Sequence, residues 1–268
     1  MNKDIFFETR KLAQLDEQYV KIHEKYAQLL KKYLSLNLKN KTAAEYCTHG
    51  FLRRLGILKR CIENIYNICP PEKSDKLSKD DDRLDLTINL QSFIFNVFGC
   101  VDNLAWIWVN ETQLKNKTGR LLNRSAVGLM EKEKNKTVRE SFSQSFQNYL
   151  KGLAQWYEYL TEYRHALAHR IPLYIPPFCL KPGEFKQYEK LEKQKFEAIR
   201  QNNLQLLSQV NEEQDRLGKF IPLMKHSFEE NSHPVIFHAQ ILADWNTIVE
   251  IAEKFLDEFA STKKEQQP

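Results

Sequence analysis

The stretch Leu90–Val109, LQSFIFNVFGCVDNLAWIWV, decides the fold. Its length suits a bilayer span. It also carries Asn96, Asp102 and Asn103, side chains that are expensive in lipid. It therefore reads as a buried helix of a soluble core, and no membrane is expected as a partner. Upstream, Asp80-Asp81-Asp82 suits a helix N-terminus, so this helix should run from about 83 to 110.

The rest of the chain agrees with a helical reading. Among 268 residues there are 8 Gly and 9 Pro, too few turn formers for a β-sandwich or barrel. Neither GxGxxG nor GxxxxGK[ST] occurs, which excludes the Gly-rich phosphate loops. Hydrophobic residues make up 42% and aromatics 12%, enough for one all-α domain spanning 1–268 with a sizeable core. The net charge of +5, from 40 Lys and Arg against 35 Asp and Glu, is compatible with nucleic acid but describes a solvated surface equally well. Cys47, Cys61, Cys69, Cys100 and Cys179 are odd in number and contain no CxxC, so neither a disulfide framework nor a zinc ribbon is indicated. Met1–Lys11 has no apolar core of a signal peptide, and the expected location is cytoplasmic.

Leu12, Leu15, Tyr19, Ile22, Tyr26, Leu29 and Tyr33 recur at helical spacing and predict an amphipathic helix over 4–36. Thr42 and Glu45 form a capping-box pattern for a second helix, which Pro70-Pro71 stops after Cys69. A charged linker covers 72–82, and a polar stretch with short helical pieces covers 111–137. Helix resumes near Val138, is apolar at Phe142, Phe146, Leu150, Leu153, Tyr157, Leu160 and Leu167, and ends at Pro172. Residues 181–230 form a charged helical insertion, with one helix over Lys186–Gln214 as an interaction arm. The last helix starts near Pro234, and a disordered tail covers 261–268.

The residue that stands out is Arg164, because the stripe Leu153, Tyr157, Leu160, Leu167 runs through it. A cation on a core-facing stripe needs a partner or a cleft, since an unpaired buried charge is too costly. Asp102 is the candidate partner. Glu158, Glu162, His165 and His169 make an adjoining polar face. It is a solvated face by default; its sharper reading is a metal site of His165 and His169 with Glu162 as third ligand. His226, His233 and His238 lack ligand spacing and are expected in capping and surface roles, and Cys179 has no obvious base beside it.

Arg164-His165-Ala166-Leu167-Ala168-His169 follows the pattern Arg, then Asn, Asp or His, then three residues, then His. It resembles the signature of the HEPN superfamily of helical bundles. The resemblance rests on six residues and on the position of the motif in a late helix. It implies a HEPN-like bundle of long antiparallel helices and a metal-independent endoribonuclease without cofactor, as in toxins and phage-defence effectors. It further implies RNA as substrate, a homodimer that joins two motifs in one cleft, and in some members a protein antitoxin partner. In that scheme His169 moves the proton, and Arg164, always charged and fork-shaped, grips the phosphorane-like transition state. His165 stands where Asn is more usual, and either assists in phosphate binding or orients Arg164. Tyr163, Arg170 and Tyr174 flank the motif as candidates for substrate binding. Asp102 and Asn103 resemble the polar residues that such bundles place opposite the motif. Arg164 and His169, five residues apart, differ by roughly 140° around a straight helix, so convergence needs a helix end or a second copy. The competing readings are a HEPN-like module that only binds RNA, a nucleotide or a protein, and the metal-binding protein above.

Overall fold

The computed structural model describes residues 6–73, 80–130, 132–227, 229–230 and 232–265. Among the described residues the protein is all-α apart from one two-stranded ribbon. In chain order the helices are α1 (Thr9–Leu34), α2 (Lys41–Glu45), α3 (Leu52–Ile68), α4 (Asp80–Glu111), α5 (Lys136–Glu140), α6 (Gln144–Gly152), α7 (Ala154–His169), α8 (Phe185–Arg200), α9 (Leu204–Asp215) and α10 (Phe237–Glu265). A π-helical segment, Tyr46–Phe51, joins α2 to α3. Strands β1 (Leu223–Met224) and β2 (Val235–Ile236) pair antiparallel.

Helix α4 is the axis of the bundle and packs against α2, the π-helical segment, α3, α7 and α10. It is long and apolar enough to cross a membrane, but 67% of its apolar window is buried inside the protein. Side chains of the π-helical segment and α3 pair with α4 in descending order, Tyr46 with Trp106, Arg54 with Asn96 and Asn103, and Asn64 with Asn89, so α3 and α4 are antiparallel. The same test makes α1 and α10 parallel: Gln18 meets Asn246, and Lys32 meets Glu253. The expected set of antiparallel long helices is corrected there. Trp108 anchors the far end of the core, stacking on Phe142 at 4.4 Å while its indole N–H donates to Ser141 Oγ at 2.9 Å.

Helix ends follow local chemistry. Leu15, Ile22, Leu29 and Tyr33 bury the expected stripe of α1. Asn40, not Thr42, caps α2, its side chain accepting from the backbone N–H of Thr42 and Ala43. The helix expected to run on from Val138 is three. Ser143 starts α6 by accepting from Phe146 N–H, and the chain breaks again between Gly152 and Ala154. The insertion is a hairpin of two helices, not one. The chain turns at Asn202, which has φ 51°, and Asn203 caps α9. Leu191, Val210 and Leu217 give this hairpin a small core of its own. Helix α10 continues past Ser261 to Glu265, so the expected tail is shorter; 266–268 lie outside the described residues, as does 74–79 of the charged linker.

Candidate functional site

Helix α7 runs antiparallel to α4, with Tyr157 and Arg164 against Phe98, and Leu173 beyond its end accepting from Gln91. The helix is unbroken from Ala154 to His169 and ends at Arg170, two residues before Pro172. This geometry gives α7 three distinct faces.

The face toward α4 carries Arg164. It is half-buried, with its guanidinium 5.3 Å from the centre of the Phe98 ring. Phe98 also stacks on Tyr157 at 5.4 Å, and Lys132 lies 5.6 Å from the Tyr157 ring centre. Asp102 is a near neighbour. Burial pushes its carboxyl up to about 6, while Arg164 foremost, then Arg54, Lys132 and Lys134, pull it back down. Asp102 and Arg164 do not form a direct ion pair, so the expected pairing is a field effect rather than a contact. Asn103 is not a partner of the motif. It is buried and accepts at 3.0 Å from Arg54 of α3.

The polar face carries His165 and His169. Both are exposed, and their ring centres lie 6.1 Å apart. The His165 pKa is lowered, first by partial desolvation and then by the cations around it, Arg164, His169, Lys132 and Arg170. Among the described residues no carboxylate sits within ion-pair distance of either ring. A cavity of about 480 Å³ opens beside this face, lined among others by Lys132, Tyr157, Thr161, Glu162, His165 and Arg170. Arg170 is exposed and donates to Glu230 at 2.9 Å. The motif is thus brought together only in part. His165 and His169 share a face, whereas Arg164 points to α4, one helical step away.

The third face is structural. Tyr163 is 2% exposed, and its hydroxyl reaches the carbonyls of His233 at 3.0 Å and Met224 at 3.3 Å. It ties α7 to the ribbon and is no platform for a base. Tyr174 is half-buried, and its backbone pairs with Lys225 in both directions, so it too belongs to the scaffold. Glu162 is turned toward His226, Oε1 lying 3.3 Å from Nε2. That removes it as third ligand of the expected metal site, and among the described residues no group of three His, Cys, Asp or Glu could hold a metal. His226 and His238 are fully buried, which corrects their expected surface roles. Cys179 is half-buried and burial raises its thiol pKa, the wrong direction for a nucleophile.

Two further groups escaped the sequence reading. Arg54 lies across α4 between Asn96 and Asn103, and Asp244 of α10 is enclosed by α7. The first had a signal: Asn96, Gly99 and Asn103 fall on one stripe of α4, with the smallest residue between two amides. The second had one as well, since Asp244 stands three residues after Ile241 and four before Ile248, at the edge of the apolar stripe of α10.

These features define an all-α protein with two exposed imidazoles and several cations at the end of one helix. No protein-family model, no curated protein and no solved structure matches the chain.

Proposed function

We propose that the chain is a HEPN-like, metal-independent endoribonuclease working at the end of α7. The observation that carries this reading is the pair His165 and His169, exposed, 6.1 Å apart and surrounded by Arg164, Lys132 and Arg170. Cleavage of RNA without metal needs a neutral base, an acid and positive charge on the phosphate. The lowered pKa of His165 keeps its ring neutral, which suits the base. In the proposed reaction His165 takes the proton of the 2′-hydroxyl, and that oxygen attacks phosphorus. The bond to the 5′-oxygen breaks, and His169 serves as the acid that gives the leaving oxygen its proton. The product is a 2′,3′-cyclic phosphate and a free 5′-hydroxyl. Arg164 and Lys132 stabilise the charge on the pentacoordinate phosphorus. Because Arg164 and His169 of one chain diverge, the proposal includes a second copy, whose Arg164 completes the phosphate grip. The packing of α7 on the helix that bears Asp102 supports the HEPN likeness.

The test is cleavage of a mixed-sequence RNA in EDTA by the wild type, His165→Ala and His169→Ala. Removing a general acid or base lowers the rate by about 10²–10⁴, and the wild-type products should end in cyclic phosphate. Equal cleavage by wild type and both variants would sink the proposal. Salt-dependent RNA binding with no cleavage by any of them would turn it into the binding module.

A further inference from the structure

A second cleft lies on the neighbouring face of α4, between that helix and the π-helical segment. It measures about 600 Å³ and is lined among others by Glu45, Tyr46, His49, Arg53 and Arg54. Clefts of about 300–1,000 Å³ suit small molecules. Single π-helical turns are rare and recur at functional sites. Here the π-turn sets Tyr46, His49 and Gly50 on the cleft wall.

Arg54 is held as a fixed cation. Its Nε donates to Asn103 Oδ1 and its Nη1 to Asn96 Oδ1, both at 3.0 Å. The guanidinium rests on the bare backbone of Gly99, where an added Cβ would stand 2.5 Å from Cζ. Asn103 in turn is seated against Gly50, where a Cβ would meet it at 3.0 Å. A charge taken out of water is ordinarily paired with an opposite one. Both partners here are neutral amides, and among the described residues no carboxylate reaches ion-pair distance. Asp102 feels Arg54 only through the field. Two of the five guanidinium N–H groups are engaged, and the others remain for a ligand. Arg53 and His49, both exposed, line the same cleft and add to the positive end. Tyr46 has one ring face covered by Trp106, stacked at 5.5 Å and 10°, and the ring also borders the cleft. It is a rigid platform for a flat group, with Glu45 and Thr42 at the rim to accept from hydroxyl or amino donors.

We propose that this cleft binds a small phosphate monoester of mononucleotide size, with Arg54 as phosphate anchor and Tyr46 as the stacking surface. The proposal does not rest on the chemistry assigned to α7. It recognises a free small molecule, because its cations are gathered at one cleft rather than laid along a track.

The experiment is calorimetric titration of the full-length protein with the four 5′-ribonucleoside monophosphates, the matching nucleosides and inorganic phosphate. Two variants accompany the wild type: Arg54→Gln, and the double variant His49→Ala with Arg53→Ala. Saturable binding of a monophosphate is expected, with the nucleoside weaker by about tenfold or more, and each variant weaker by a similar factor. Circular dichroism and thermal melts check the fold. If Arg54→Gln does not fold, the double variant decides, since both its positions are exposed. The proposal fails if no monophosphate binds up to about 10 mM, if the nucleoside binds as tightly, or if a folded variant binds like wild type. It also fails if only RNA oligomers bind.

Discussion

Asp244→Asn should remove the pH dependence that one buried carboxyl imposes on stability. Asp244 is 1% exposed. Its Oδ1 accepts from Trp156 Nε1 and Gln240 Nε2, both at 2.8 Å, and its Oδ2 has no partner among the described residues. Burial raises the carboxyl from 3.8 to about 7, against the pull of those two donors. The folded pKa is the higher one, so between pH 3.8 and about 7 the folded state binds one more proton than the unfolded. Stability is therefore fully present below that window and is lost as pH rises through it. At 1.36 kcal/mol for each tenfold change in proton affinity, the loss is about 4 kcal/mol. No solvent screening reduces it, because the group is enclosed.

His238 opposes this. Its Nε2–H donates to the carbonyl of Cys69 at 2.6 Å, and its ring packs edge-on to Phe7 and Tyr66. Burial lowers its pKa from 6.5 to about 4. Between those values the unfolded state binds the extra proton, so stability falls as pH drops through 6.5, by about 3 kcal/mol in all. From about pH 4 to 6.5 the two slopes nearly cancel. Asn at 244 keeps an acceptor for Trp156 and Gln240 but cannot titrate. Urea denaturation of wild type and Asp244→Asn from pH 3.5 to 8 isolates the effect, because every other group cancels in the difference. That difference should move by about 4 kcal/mol in favour of Asn between acid and pH 8, roughly 10 °C in Tm for a chain of this size. A difference independent of pH, or one that favours Asp as pH rises, would refute the assignment of Asp244 as a buried neutral acid.

Other outcomes follow from the same contacts. Gly99→Ala should cost about 1–3 kcal/mol by forcing Arg54 off α4, measured by urea denaturation, and should abolish monophosphate binding in the second cleft. Tyr163→Phe should cost about 1 kcal/mol for the lost hydroxyl contacts while leaving RNA binding unchanged in filter-binding assays; weakened RNA binding in a folded variant would restore its role as a substrate residue. If His165 is the base, the acidic limb of the cleavage rate should fall below the usual imidazole range, and His165→Ala should remove that limb. Trp108→Ala should cost about 3–5 kcal/mol, seen as a lower denaturation midpoint, because its ring fills the space between Phe142, Phe255 and Phe259.

The architecture was legible where one residue type settles it. Asn96, Asp102 and Asn103 point to a helix packed within the protein, and α4 is mostly buried there. Pro70-Pro71 and Pro172 end helices within two or three residues of where the sequence puts them. The misreadings lie where an apolar period runs on through a break. Phe142, Phe146 and Leu150 keep helical spacing into Leu153 and Tyr157, yet Ser143 starts a new helix and Gly152 ends it. In the insertion, charge hid the turn, for Asn202 and Asn203 look like two more polar residues of a solvated helix until the left-handed φ of Asn202 is seen.

The site shows the same division in sharper form. Spacing along α7 correctly set His165 and His169 on one face and Arg164 on another, since that follows from 3.6 residues per turn alone. It could not give the occupants of the opposite wall. Asp102 and Asn103 are adjacent in sequence and were read as one feature, but successive helical positions differ by about 100°. That angle sends Asp102 toward Arg164 and Asn103 toward Arg54. One helix thereby serves two clefts, and Asp102, whose pKa both arginines lower, is the residue through which charge arriving at either is felt at the other. A phosphate bound at Arg54 would offset one of the cations that hold Asp102 ionised. The Asp102 carboxyl should then titrate higher in the presence of a bound monophosphate, which NMR of the side-chain carboxyl can follow. An Asp102 titration unmoved by saturating ligand would separate the two clefts and leave α7 to act alone.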